Sequence, residues 1–250
     1  MKEFSNKSAI VTGATSGMGQ NITEALSDLN VRVILSGRDQ KRGSALEAKL
    51  QGNGHFVPGD VKDPALNKLL VDSARNQTGR LDYVVLAAGE LGIGSITEVS
   101  IDDWEDTIAT NLNAVFYLLK YAIPLMLEGE GGSIVIVGSV ASHHAFPNHP
   151  AYTASKGALP ALVRQIARDY GPRIRINLVS PAQVMTPLLH NSVKAFPNPD
   201  QILEETAEKL PMQRIGIPGD ITNTVIHLLS DGASWITGSD FVVDGGFLAT

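Results

Sequence analysis

The chain has 250 residues, 43% of them hydrophobic and 18% charged, with a formal net charge of −6 and no cysteine. That composition excludes a disordered or collagen-like chain. Mild acidity without a basic run excludes an electrostatic footprint for nucleic acid or an anionic membrane, and the absence of cysteine removes thiol chemistry.

The N-terminal segment from Met1 to Lys7 lacks the apolar stretch of a signal peptide, and no run of ~18 apolar residues occurs, so a soluble cytoplasmic protein is expected. Length alone allows one large α/β domain or two small ones. No linker-like break or internal repeat is visible, and one domain over residues 1–250 is expected.

Short apolar runs alternate with longer amphipathic segments. Strands are predicted at Ser8–Thr12, Val31–Ser36, His55–Val57, Asp82–Ala88, Ser133–Gly138, Arg175–Val179 and Phe241–Val243. Helices are predicted at Gly17–Leu29, Gln40–Leu50, Pro64–Gln77, Asp102–Leu127, Pro150–Tyr170 and Pro218–Leu229. Continuous apolar strands between helices predict an α/β fold, a doubly wound parallel sheet of about seven strands with helices on both faces. From Pro187 to Pro211 this rhythm stops, and the segment reads either as a substrate lid or as an inert excursion.

The first strand runs into Thr12-Gly13-Ala14-Thr15-Ser16-Gly17-Met18-Gly19, and a helix follows. Glycines allow backbone N–H groups to approach phosphate, and the helix N-terminus adds partial positive charge. The second strand ends in Gly37-Arg38, where an acidic residue would select a free ribose 2′-hydroxyl. A guanidinium suits a 2′-phosphate, so NADP(H) is favoured and NAD(H) stays possible, with Arg38 then only stacking on adenine. Asp60 could accept from the adenine amino group or cap the helix that begins at Pro64.

Tyr152 and Lys156 are four apart on a predicted helix and share a face. Ser139 ends an apolar strand, where parallel sheets place their ligands, and Asn111 interrupts a helix that its propensity does not favour. A carbonyl that receives hydride needs a proton on oxygen. A phenol with a free pKa of ~10 serves better with a cation beside it. Ser139 can hold the substrate oxygen against Tyr152. Lys156 can also bind the nicotinamide ribose, and Asn111 can hold a water on a proton route to Lys156. The six histidines show no metal-ligand spacing, so no metal is expected.

These residues resemble the short-chain dehydrogenase/reductase family in its compact form, over essentially the whole chain. Thr12–Gly19 is similar to its T-G-x-x-x-G-x-G turn, and Asn111, Ser139, Tyr152 and Lys156 to its catalytic tetrad. Asn177 to Pro181, Thr186-Pro187 and Thr237 to Gly246 resemble its remaining signatures. The resemblance implies a coenzyme site of Gly13, Thr15, Ser16, Gly17, Met18, Gly19, Arg38, Asp60, Val61, Ala87, Ala88, Gly89, Tyr152, Lys156, Pro181, Val184 and Thr186. It also implies substrate contacts from Ser139, Tyr152, His143, Phe146, His149 and Leu188.

Three positions depart from the pattern. Leu86-Ala87-Ala88-Gly89 stands for N-N-A-G, Ala182 follows Ser180-Pro181 in place of glycine, and Pro160 falls inside the catalytic helix. Pro160 should kink that helix or shift its regular start.

A small to medium hydrophobic or mixed-polarity ketone or alcohol is expected, with Leu91, Ile93, Phe146, Leu188, Leu189 and Phe196 as apolar lining, and an NAD(H)-dependent alcohol or diol dehydrogenase running in the oxidative direction is the alternative. The histidines of the loop, including His144, are equally readable as surface residues. Carrier-linked substrates are disfavoured by the acidic stretch Met126 to Glu130. The helix from Ala114 to Leu127 is apolar nearly all round, which predicts a homodimer or homotetramer interface. A nucleotide-sensing regulator without turnover has little reason to carry all four tetrad residues. A dehydratase or epimerase usually goes with a longer chain and different glycine spacing.

Overall fold

A computed structural model describes residues 4–193 and 198–249. Seven parallel strands form one sheet in the order β3-β2-β1-β4-β5-β6-β7. They are β1 (Ser8–Thr12), β2 (Arg32–Gly37), β3 (Gly54–Pro58), β4 (Tyr83–Leu86), β5 (Gly132–Val137), β6 (Ile174–Pro181) and β7 (Asp240–Val243). The order reverses between β1 and β4, and a doubly wound sheet opens its ligand crevice at that point.

The central strands are apolar on both sides because both faces are covered. Ile10, Ile34, Val84, Ile134 and Ile176 point to one core and Val11, Leu35, Val85, Val135 and Val179 to the other. Helices α1 (Gly17–Asp28) and α2 (Gln40–Lys49) cover the second face together with α9 (Pro218–Leu229). Helices α3 (Pro64–Thr78), α5 (Ala114–Glu128) and α6 (Pro150–Tyr170) cover the first.

Local chemistry sets several boundaries. The Asp63 carboxylate caps α3 through the Ala65 N–H at 2.8 Å, Pro64 occupies its first turn, and Gly79 ends it with φ at 71°. The cap is therefore Asp63 and not Asp60. Ser100 caps α4 (Ile101–Ile108) through the Asp103 N–H at 3.0 Å.

The predicted long helix is not uniform. A π-helical turn, Ala109–Asn113, separates α4 from α5. A one-residue excess in the turn frees backbone groups, and such turns gather at functional sites. Asn111 lies inside it.

Helix α6 runs from Pro150 to Tyr170 with Pro160 inside it, so Pro160 does not shift its start. The segment after β6 is helical too, with α7 (Pro187–Val193) and α8 (Pro199–Lys209). Phe196 lies outside the described residues. No described helix is long and apolar enough to cross a membrane.

Candidate active site

Two adjoining cavities open at the carboxyl ends of the strands. The larger, about 460 Å³, is a groove lined by Gly13, Thr15, Ser16, Gly17, Met18 and Gly19 from the first turn. Arg38, Asp60, Val61, Ala87, Ala88, Gly89, Thr186, Tyr152 and Lys156 complete the predicted set along it. The smaller, about 260 Å³, holds Ser139, Phe146, His149, Leu91, Leu189 and, of the residues expected at the coenzyme, Pro181 and Val184. Met18, Gly138, Tyr152, Thr186 and Leu188 line both, so the two spaces meet at Tyr152.

The groove fits a dinucleotide. Gly13 has φ at 65°, and a Cβ there would lie 2.7 Å from the backbone of Ala87, so the turn is pressed onto the end of β4. The N-terminus of α1 opens into the groove with no side-chain cap at Ser16 and no acidic residue in its first turn. Its N–H groups and partial positive charge are left for an anion.

Two guanidiniums stand at the far end, Arg38 and, unforeseen from sequence, Arg42. Arg42 is held at 2.7 Å by Asp39, the cap of α2. Arg38 is 64% exposed and lies 3.7 Å from the Glu90 carboxylate. The Asp60 carboxylate accepts from the Lys62 N–H at 3.0 Å, which braces the β3 turn.

Both amide hydrogens of Asn111 are engaged, and its oxygen has one donor. Its Oδ1 accepts from the Glu90 N–H at 2.9 Å, and its Nδ2 donates to the Glu90 carbonyl at 2.9 Å and to Ser155 Oγ at 3.0 Å. Ser155, which the sequence does not single out, donates to the Tyr152 carbonyl at 2.7 Å. One chain of hydrogen bonds thus ties the loop after β4 to the first turn of α6. Because both amide hydrogens are committed, a water held by Asn111 must use the second lone pair of Oδ1 or the backbone carbonyl.

Lys156 is only 4% exposed, and its ammonium donates to the Val137 carbonyl at 3.0 Å. Its Nζ lies 5.7 Å from the centre of the Tyr152 ring. Burial pushes the amine down to about 8, since the charged form is desolvated. Part of the Tyr152 ring opens to the cavities, yet its surroundings desolvate the phenolate and raise the phenol above its ordinary pKa. The hydrogen bond from Ser139 opposes that rise. These surroundings favour the protonated phenol, and Lys156 does not by itself reverse that.

The loop after β5 sorts its histidines. His143, expected at the substrate, instead pairs through Nε2 with Asp240 at 2.7 Å, and Asp240 also accepts from Ser180 Oγ at 2.6 Å. A carboxylate on β7 is the stronger partner for an exposed ring, so His143 clasps the loop to the sheet edge. His144 packs edge-on against Phe146 and Phe247, with ring centres 5.2 and 5.1 Å away. His149 alone of the three lines the smaller cavity. Ile93 is exposed and lies off both cavities.

The first turn, the polar cluster and the strand order together match a known group. A family model described as enoyl-(acyl carrier protein) reductase fits residues 13–248. The chain belongs to the short-chain dehydrogenase/reductase family. Such a protein is an oxidoreductase that works with a nicotinamide coenzyme.

D-threitol dehydrogenase of Mycolicibacterium smegmatis is 34% identical over 96% of this chain and 92% of its own. The ligand-free aldohexose dehydrogenase of Thermoplasma acidophilum superposes with a TM-score of 0.91 at 32% identity, over 99% of this chain and 96% of its own. A single-substitution variant of actinorhodin polyketide ketoreductase, solved with NADPH, gives 0.92 at 25% identity over 96% of both chains.

Proposed function

We propose that this member of the family moves a hydride between NADP(H) and a ketone or secondary alcohol, with Tyr152 as the acid/base. The observation that carries this is the meeting of the two cavities at Tyr152, with Ser139 in the wall of the smaller one and the Lys156 Nζ 5.7 Å from the centre of the Tyr152 ring.

A nicotinamide coenzyme, when bound, supplies or accepts the hydride. Everything else falls to side chains. The N–H groups at the start of α1 take the pyrophosphate, and Arg38 takes a 2′-phosphate by leaving Glu90 for a more highly charged partner. Ser139 holds the substrate oxygen against the Tyr152 hydroxyl, which donates its proton as a carbonyl is reduced and takes one as an alcohol is oxidised. Lys156, on the coenzyme side of the ring, steadies the resulting phenolate. The Asn111–Ser155 chain keeps α6 at a fixed depth beneath the cavity.

NAD(H) is the second reading, because Arg38 already lies beside the Glu90 carboxylate and can stack on adenine without reading a 2′-phosphate. Nicotinamide absorbance followed with mixed ketones and both coenzymes tests the proposal. Turnover with NADPH, lost in Tyr152→Phe, supports it. No turnover with either coenzyme across a broad carbonyl panel overturns it.

We also read the chain as a cytoplasmic homodimer or homotetramer. The support for assembly is the outward stripe of α5, where Phe116 is exposed beside Tyr117, Tyr121 and Pro124.

A further inference from the structure

The smaller cavity is apolar over most of its wall, through Leu91, Phe146, Val184, Leu188 and Val193. Among the described residues, its one ionisable group besides Tyr152 is His149, which is 6% exposed. The environment of that ring decides its hydrogen-bonding character. Nδ1 lies 2.6 Å from the Pro147 carbonyl, and a carbonyl can only accept, so Nδ1 carries the proton of the neutral ring. Nε2 is then left with a lone pair.

The nearest donor to that lone pair among the described residues is Ser192 Oγ on α7, at 3.5 Å, too long to satisfy it well. An under-used acceptor in an apolar pocket calls for a ligand that donates. A carboxylate, phosphate or ester oxygen cannot do so, and a plain ketone leaves that acceptor unpaired.

We infer that His149 is a specificity-determining residue, and that the substrate carries a second hydroxyl, near the reacting carbon, that donates to Nε2. The substrate class is then a hydroxy ketone or its diol, with a hydrocarbon remainder on Leu188 and Phe146. This rests on the oxidoreductase reading above and narrows it. His149 stands at the start of α6, one turn before Tyr152, with their ring centres 6.3 Å apart. One rigid element therefore carries both the group that handles the reacting oxygen and the group that would hold its neighbour.

The test compares kcat/KM of the full chain for 1-hydroxy-2-butanone against 2-butanone, and for 2,3-butanediol against 2-butanol, with the preferred coenzyme. The hydroxylated member of each pair is expected to lead by about tenfold or more, the scale on which leaving a buried acceptor unpaired is felt. His149→Phe keeps the ring volume and removes the acceptor, so the ratio should fall toward one. His149→Gln, which retains an acceptor oxygen, should keep part of it. Coenzyme binding by fluorescence reports that each variant is folded.

A wild-type ratio at or below one overturns the inference while leaving the oxidoreductase reading standing. So does a ratio that His149→Phe does not change. Absence of turnover on every member of both pairs and on a broad carbonyl panel removes the reading beneath it.

Discussion

The hydroxyl of Ser142 donates a 2.9 Å hydrogen bond to the backbone carbonyl of Lys156. In an uninterrupted helix that carbonyl accepts from the N–H four residues on, but residue 160 is proline and has none. Ser142, on the 3-10 turn after β5, fills the gap. Ser139 caps the same turn, so one short loop both presents a hydroxyl to Tyr152 and grips the backbone beneath Lys156.

Removing that donor should be felt as lost stability. Ser142→Ala is expected to cost about 1 kcal/mol, with the carbonyl left unpaired. Pro160→Ala restores a backbone donor, so Ser142→Ala should cost measurably less in that background. Chemical denaturation of the four proteins of this cycle decides it, and additive effects would show that the two residues are not coupled.

Tyr152→Phe removes only the hydroxyl. Turnover should fall by roughly 10²–10⁴-fold, the range for a lost general acid/base, with coenzyme affinity nearly unchanged. Steady-state rates and fluorescence titration separate the two effects. A variant that turns over normally would place the proton on another group.

Lys156 predicts a pH dependence of folding. Its amine is held near 8 when buried but titrates at the ordinary 10.5 when the chain is unfolded. Between those values the unfolded state binds more protons, so stability contributed by this site rises with pH across that window, and below about pH 8 the buried charge is a standing cost. Coenzyme-free wild type should therefore gain on Lys156→Met as pH is raised from 8 toward 10.5. A pH-independent difference between them would contradict the depressed pKa.

Arg38→Ala should lower the preference for NADPH over NADH by about tenfold or more, the worth of a hydrogen bond to a charged group. Initial rates with each coenzyme measure it. An unchanged ratio would mean that Arg38 does not read the 2′-phosphate. Gly37→Asp is a poorer test, because a Cβ there would sit 2.5 Å from the Thr15 hydroxyl.

Phe116→Lys should shift the assembly toward monomer. A second ammonium beside Lys120, whose Nζ lies 5.8 Å from the centre of the Phe116 ring, is repelled and, inside a contact, desolvated without a partner. Light scattering at micromolar concentration reads the shift, and a wild type that is monomeric there would remove the interface.

Linear order is enough for the sheet and the outline of the site. Continuous apolar strands can be stable only between two layers of helix, and a glycine turn between strand and helix can face only the carboxyl edge. Tyr152 and Lys156 share a face because four residues make about one helical turn. What linear order cannot say is which polar groups find each other.

Asn111 is visible as a poor helix former, yet the π turn and the grip on Glu90 and Ser155 depend on elements tens of residues away. Pro160 announces an orphaned carbonyl without naming Ser142 as its donor. Among His143, His144 and His149 the sequence offers no choice. Asp240 draws off the first, two aromatic rings engage the second, and the Pro147 carbonyl turns the third toward the cavity. Periodicity is a local property of the chain, whereas hydrogen-bond partners are chosen by proximity, and only the folded sheet brings them together.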